Sequence, residues 1–491
     1  DYSANVMDGH VKSAILTGQT LVNLFQDMDY VWNNLTKQDS FNYNGDLIIL
    51  NNGYRDGRYW ESVPKIPNIK SNTEYTMIFT KGSSPYIDFA GIDENNNTIL
   101  HKRFTNAQKV KITSPNNGDL RVKFCVENPT SDKSAINLGK VMFIEGDYTN
   151  VDIPYFEGMQ SVKLPVLTTV GKNFVRASED LFVYRSGFTK PSVVFENGGF
   201  SFTSAFNGSI CGFRLPIKLL KDKTYYIKCD SENMLKIRIY GSDVLSSEID
   251  TNWEMILINK EGGSFTFDKQ FEYYYVGFYP DAGFQMKIKN LQIEKGTQAT
   301  PYEPYKSNIL TVNEPVELRG IDDIKDTLDL TTGELTQRIG EIVLDGSLTP
   351  VSINTSKNNT IEVNLGIQTD MKIASRLMCD KLPNAEPYNT DIEGICCHVL
   401  NGNFHFNILK SKIENHTKQG VVDYLSQNPI TVQYELETPT VKTVDLMPSG
   451  THPSTTPYCW KNGHIQLSSS GLLPNLEYSV VTSRAGQINQ N

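Results

Sequence analysis

The sequence predicts an all-β protein: two tandem jelly-roll β-sandwiches plus a smaller β-rich domain with one short helix. Three observations lead there. Short runs alternate apolar and polar residues, turn-forming clusters separate them, and one stretch of the chain occurs twice. In Leu120-Arg121-Val122-Lys123-Phe124-Cys125-Val126 the apolar residues fall at every second position, and Leu235-Lys236-Ile237-Arg238-Ile239-Tyr240 repeats the pattern. Such alternation is what a strand with one wet face needs. Thr73 to Thr80 alternates less cleanly. Between the runs lie Asn51-Asn52-Gly53, Asn95-Asn96-Asn97, Asn116-Asn117-Gly118 and Glu261-Gly262-Gly263, which supply the left-handed and Asx conformations of turns. Short strands spaced this way predict a sandwich or barrel.

The repeat sets the domain plan. Met142-Phe143-Ile144-Glu145-Gly146-Asp147, then Ile153-Pro154-Tyr155-Phe156-Glu157, recurs as Leu291-Gln292-Ile293-Glu294-Lys295-Gly296-Thr297, then Pro301-Tyr302-Glu303-Pro304-Tyr305. Matching Ile144 to Ile293 gives an offset of 149 residues (293 − 144). Val22-Asn23-Leu24-Phe25 echoes Asn173-Phe174, and Thr73-Glu74-Tyr75-Thr76 echoes Lys223-Thr224-Tyr225-Tyr226. So long a period means two whole domains, since solenoid repeats run about 20–50 residues. The expected division is a connecting segment 1–25, a first sandwich 26–160, a linker 161–172, a second sandwich 173–305, and a linker with hairpin 306–339. A third β-rich domain, 340–446, and a connecting segment, 447–491, follow. In each sandwich the first strand (Asp46 to Leu50; Gly199 to Thr203) is expected to pair with the last (Gly139 to Glu145; Gln285 to Glu294), burying edges and bringing the ends together. Thr417 to Leu425, stopped before Pro429, predicts the helix, and Ile324 to Ile339 reads as a β-hairpin around Thr331-Thr332-Gly333.

Composition narrows the function. The 491 residues carry 46 Lys and Arg against 56 Asp and Glu, a net charge of −10, which argues against nucleic acid as partner. No apolar run approaches the roughly 18 residues of a membrane span. The N-terminus has no cationic start or apolar core of a signal peptide, and it begins with Asp1; the chain is read as a processed product or an excerpt of a longer protein. The seven cysteines form no CxxC pair and read as reduced thiols, most of them in cores.

The segment Leu291 to Tyr305 resembles the closing strand of carbohydrate-binding-module-like jelly rolls in tail and baseplate proteins of phages that infect Gram-positive bacteria. The hairpin Asp329 to Gly340 is similar to the same proteins, as are Leu425 to Pro429, Val432 to Pro439 and Leu472 to Ser479. The first copy departs from the pattern, because Ile153-Pro154-Tyr155-Phe156-Glu157-Gly158 lacks the second Pro-Tyr. The resemblance implies a virion structural protein of the tail tip or baseplate, assembled in the bacterial cytoplasm, non-enzymatic, presenting its sandwiches toward the host. Its implied partners are other tail proteins, further copies of itself with a trimer preferred, and host cell-wall polysaccharide. The alternatives are a receptor-binding adhesin for cell-wall glycans and an accessory module of a secreted polysaccharide hydrolase.

Sugar binding needs an exposed aromatic platform with polar groups beside it. Two clusters qualify: Tyr54, Arg55, Asp56, Arg58, Tyr59 and Trp60 on a turn-rich stretch, and Tyr273 and Tyr275 on one face of a strand. Each has a plainer structural reading, as a rim or a covered sheet face. Trp32 and Trp253 read as core. No cofactor is expected. Asp93-Glu94-Asn95-Asn96-Asn97 offers oxygen ligands for a structural calcium ion, yet its spacing favours a turn. Cys396-Cys397-His398 is unsuited to one metal, because adjacent strand residues face opposite sides. No catalytic motif occurs, and the seven histidines are scattered.

Overall fold

Stretches far apart in the chain meet in one β body, and the other described elements are inserted into it. The computed structural model describes residues 9–25, 41–43, 47–49, 61–65, 69–81, 86–93, 95, 97–104, 107–117, 120–127, 136–137, 139–151, 153–196, 199–203, 210–250, 252–281, 283–368, 377–384, 390–397 and 403–482. The protein is all-β: among the described residues the only α-helix is Lys418–Gln427, against forty-one strands.

In the body, strand Gly9–Thr17 pairs on one side with Asn475–Thr482 and on the other with Thr327–Asp329 and Tyr458–Cys459. Val166–Val170 lies between Ser307–Val312 and His464–Ser468. Met159–Lys163 joins Thr20–Val22 and Glu317–Leu318. Leu16, Val162, Leu310, Leu328, Leu335, Leu467, Leu472 and Leu476 share a single apolar core. The described parts of 1–25, 161–172, 306–339 and 447–491, expected as connectors, are therefore strands of this body. Each stretch has too few apolar residues for a core of its own, and the body pools them.

Each insertion leaves and returns through a hydrogen-bonded neck. Asn23 N donates to Gly158 O at 2.9 Å around the first sandwich, and Gly171 N donates to Lys306 O at 2.9 Å around the second. Leu344 pairs with Ile430 around the third insertion.

The two sandwiches have one strand order. Numbered along the chain, the second has Gly199–Thr203, Cys211–Arg214, Tyr225–Glu232, Met234–Ser242, Glu254–Asn259, Gly263–Phe265, Tyr273–Pro280 and Gln285–Lys295. Its sheets run first-eighth-third-sixth, extended beyond the first by Val193–Glu196, and second-seventh-fourth-fifth, extended beyond the second by Phe182–Arg185 and then Glu248–Ile249. The first has Leu47–Ile49, Glu61–Lys65, Glu74–Phe79, Tyr86–Ile92, Thr98–Phe104, Gln108–Thr113 and Arg121–Glu127, with its last strand broken into Ile136–Asn137 and Val141–Glu145. Its pairings follow the same order. In the second copy the first strand pairs with the last, as expected. In the first copy Leu47–Ile49 pairs with Ile136–Asn137, outside the expected Gly139 to Glu145, because the last strand is broken and its second piece, Val141–Glu145, pairs with Glu74–Phe79.

Matching hydrogen bonds fix the register of the repeat. The buried Asn23 Oδ1 accepts from Phe25 N and Phe143 N, both at 3.0 Å. Asn173 Oδ1 accepts from Val175 N at 3.1 Å and Ile293 N at 3.2 Å. Tyr75 and Tyr225 hydroxyls accept from Lys70 N and Leu220 N, each at 2.8 Å. All these pairs are offset by 150 (173 − 23), so Ile293 matches Phe143 and the expected 149 is one residue out. In a strand that slip exchanges the two faces.

The third insertion packs the sheet of Ser352–Asn354, Thr360–Gln368, Asn403–Leu409 and Gly394–Cys397 against the helix, with Ile361, Phe404, Phe406, Val421 and Leu425 in its core. Thr417 caps the helix, its Oγ1 accepting from Gly420 N at 3.0 Å. The hairpin forms as predicted, Thr327 opposite Thr336 and Leu328 opposite Leu335, with Gly333 at φ +75° in the turn. Cys211, Cys229, Cys396 and Cys459 are buried free thiols and Cys379 a half-buried one.

Candidate functional site

The first predicted cluster, Tyr54, Arg55, Asp56, Arg58, Tyr59 and Trp60, lies outside the described residues, as does Trp32. The second falls on strand Tyr273–Pro280, in the middle of one sheet of the second sandwich. Its alternation places Tyr274, Val276 and Phe278 in the main core. Tyr275 and Tyr279 face outward with Val183, Ile210, Tyr240 and Ile249 in a separate small cluster.

That outer face is roofed. Tyr275 is 0% exposed. Its hydroxyl donates to Val244 O and accepts from Ser246 N, both at 3.1 Å, pinning the loop that crosses it. Trp253 lies over it with ring centroids 4.7 Å apart. Tyr275 is thus covered by its own chain and is no open sugar platform; Tyr273 is half-buried at the margin of the cluster. Trp253, expected in the core, is half-buried on this face, because it stands in the turn before strand Glu254–Asn259 and packs on the outer cluster through Tyr275. The open part lies farther along. The Arg238 guanidinium sits 4.4 Å and the Lys236 ammonium 4.7 Å from the Tyr279 ring centroid. Burial, then the neighbouring Tyr240 hydroxyl, pushes the Tyr279 phenol above its ordinary pKa, so it stays a neutral donor. Met255 and Leu257, cross-strand neighbours of Tyr240 and Arg238, are 39% and 59% exposed on the same face. Aromatic, cationic and apolar groups together suit a ligand with both a flat apolar side and acceptor groups. Single-sequence alternation located Tyr273 and Tyr275, but Lys236 and Arg238 were seen only as the polar half of a strand.

A second polar centre lies where the second sandwich meets the body. Glu294, 4% exposed, accepts from Gln292 Nε2 at 2.7 Å, Thr300 N at 2.7 Å and Thr300 Oγ1 at 2.6 Å. Gln292 Oε1 accepts from Glu303 N at 2.8 Å. Lys172 Nζ donates to Thr300 Oγ1 at 2.8 Å and Pro301 O at 2.6 Å and pairs with Glu303 at 3.1 Å. Asn173 Nδ2 donates to Leu291 O and Glu303 O, both at 3.0 Å. The segment Leu291 to Tyr305 is therefore a clamp that folds the exit of the sandwich back on its last strand. A cavity of about 320 Å³ opens beside it, with His464 of the body in its wall.

Asp93 closes its own turn, accepting from Asn95 N at 2.9 Å and from Asn97 N and Nδ2 at 2.7 and 2.9 Å. The side-chain bond from Asn97 is the main reason that its carboxyl lies below the usual range. Among the described residues no three His, Cys, Asp or Glu side chains converge to hold a metal ion. His398 and Glu94 lie outside them. No described helix is long and apolar enough to cross a membrane.

Neither the family models nor the curated proteins contain a match to this chain.

Proposed function

We propose that this chain is a non-enzymatic structural protein of a phage tail tip or baseplate that holds two jelly-roll sandwiches out from a common body toward the host surface. The observation that carries the reading is the insertion architecture. Two sandwiches with the nested order first-eighth-third-sixth and second-seventh-fourth-fifth, the order of a jelly roll, hang from one body by two-stranded necks. Paired necks transmit force and orientation where single-strand linkers would not, which suits a display scaffold. The sequence resemblance at Leu291 to Tyr305 and Asp329 to Gly340 supports the same reading. Its partners are then other tail proteins and further copies of itself in a rotationally symmetric ring, a trimer preferred. A low-resolution map of particles carrying an epitope-tagged chain tests this. Density at the tail tip is the expected result; a tagged chain found only free of particles overturns it.

The outer face of the second sandwich favours a second reading, a cell-wall glycan adhesin. Lys236, Arg238, Tyr279, Met255 and Leu257 present cations beside aromatic and apolar surface. Multivalent display would raise the avidity of such a shallow site. Saturable retention of the chain on purified cell walls, lost in Arg238→Ala, supports it; undiminished retention in that variant removes this face from consideration.

A further inference from the structure

The two sandwiches are copies, yet they meet the body with opposite chemistry. From the first, Ile78, Met142, Ile144, Ile153 and Phe156 are all buried in the apolar core of the body. From the second, no described residue enters that core. Contact in the other direction is slight: among the described residues Val170, at the neck, is the one body residue in the core of the second sandwich. At the positions of Met142 and Ile144 stand Gln292 and Glu294.

The polar groups at the second junction do not grip the body either. Among the described residues, the side-chain bonds of Lys172, Asn173, Gln292 and Glu294 all end within 172–303, on the sandwich and its own exit segment. Away from the neck, Lys218 N donates to Gln466 Oε1 of the body at 3.1 Å, and the Phe174 ring lies 5.9 Å from that of His464. Between the facing walls is the cavity of about 320 Å³, with Glu294, Lys295 and Thr300 on the sandwich side and Asn462 and His464 on the other. His464 is 6% exposed, and its Nε2 has no hydrogen-bond partner among the described residues. Seating the sandwich thus leaves a buried polar atom unsatisfied, which opposes closure.

Polar walls that part are rehydrated, whereas apolar walls that part expose surface that water disfavours. Small polar contacts between units of one chain permit relative motion, and large apolar ones restrain it. We propose that the second sandwich is a hinged arm, swinging on the neck where Gly171 N bonds Lys306 O, while the first sandwich is fixed to the body. Val170 packs at the axis of the swing. The arm moves as one unit, because Phe200, Phe213, Ile237, Phe278 and Ile293 give it a core of its own. The clamp from Leu291 to Tyr305 travels with it, since the bonds that hold the clamp are internal. On the function proposed above, the fixed sandwich sets a direction and the hinged one adapts to the surface it meets. The movement itself does not depend on that reading.

Double electron–electron resonance on frozen samples of the whole chain tests it. The spin labels are carried on unnatural residues, since the chain has seven cysteines of its own. One pair of labels joins Leu257, on a strand of the second sandwich, to Leu473 of the body; the other joins Ile99, on a strand of the first, to the same Leu473. All three positions are exposed. The distance distribution from Leu257 is expected to be about twofold wider than that from Ile99. Gln292→Met with Glu294→Ile, which gives the second junction the residue types of the first, should narrow it to the Ile99 width. Equal widths in the unaltered chain overturn the proposal, whether or not the double variant folds. So does a folded double variant whose Leu257 distribution stays as wide.

Discussion

Ile144 and Glu294 occupy one position in two copies of a fold, 150 residues apart (294 − 144), and face the same body with opposite chemistry. Ile144 is 0% exposed in the apolar core of the body, whereas Glu294 is 4% exposed in a hydrogen-bonded cluster. The sandwich side of the strand is alike in both: Phe143 stacks on Tyr75 at 5.0 Å, and Ile293 lies in the second core. Duplication has kept the inward face and altered the outward one. One sandwich is welded to the body, and the other rests on a polar seat.

Glu294→Ala should unseat the second sandwich. The change strands the Thr300 amide and hydroxyl and the Gln292 amide, all satisfied now by one carboxylate. At about 1–3 kcal/mol per stranded buried group the loss is about 3 kcal/mol in total, since Thr300 can regain water. Amide hydrogen exchange should quicken in Leu291 to Tyr305 and hold in Met142 to Phe156. Equal quickening in both copies would refute a local seat.

The necks predict that excision is tolerated. Gly171 N bonds Lys306 O at 2.9 Å, so replacing 173–305 with a short Gly-Ser bridge leaves the body strands in place. The shortened chain should give a cooperative thermal transition for the body. Deleting 458–482 should abolish it, because Cys459, Ile465, Leu467, Leu472 and Leu476 belong to the body's core. A body that survives this second deletion would contradict the pooled-core account.

Acid should weaken the seat through His464. Burial above all, with the Lys295 ammonium among the smaller contributions, lowers its pKa from 6.5 to about 4. Between those values the unfolded chain holds a proton that the folded chain does not. Stability therefore falls as pH drops from about 6.5 to about 4, by up to about 3 kcal/mol at 1.36 kcal/mol per pH unit. His464→Phe should flatten that part of the stability–pH curve. Parallel curves for the two proteins would show that the imidazole does not titrate this way.

Tyr275→Phe removes the hydroxyl that ties Val244 O and Ser246 N to the sheet. Two hydrogen bonds lost to a partly solvated loop cost about 1–2 kcal/mol. Limited proteolysis should cut near the exposed Val244 and Leu245 several-fold faster while the rest of the sandwich stays intact. Unchanged cleavage would mean that Trp253 alone holds the roof.

Much of this was legible in the sequence because strands carry local signals. Alternation at Leu235 to Tyr240 marked a strand of the second sandwich, Thr417 and Pro429 bounded the helix, and Gly333 placed the hairpin turn. The repeat was visible, but Ile-Glu pairs at 144 and 293 drew the match one residue off; the Asn23 and Asn173 bonds that correct it are long-range and leave no local trace. The body was illegible for the same reason. Its core joins Leu16 to Leu476, and no window of sequence contains both. The roof over Tyr275 was missed because a tyrosine facing out of a sheet looks the same on paper whether or not a loop returns to cover it.

Strand Gly9–Thr17 precedes both sandwiches in the chain and is closed on one side by Asn475–Thr482, which follows them. On the ribosome the sandwiches, with all their strands contiguous, can fold as they emerge, domain by domain. The body must wait, its strand Gly9–Thr17 an unmated edge until Asn475–Thr482 has been made. Prematurely terminated chains would thus carry finished sandwiches on an unfinished base, and could be sorted from intact ones before they are built into anything larger.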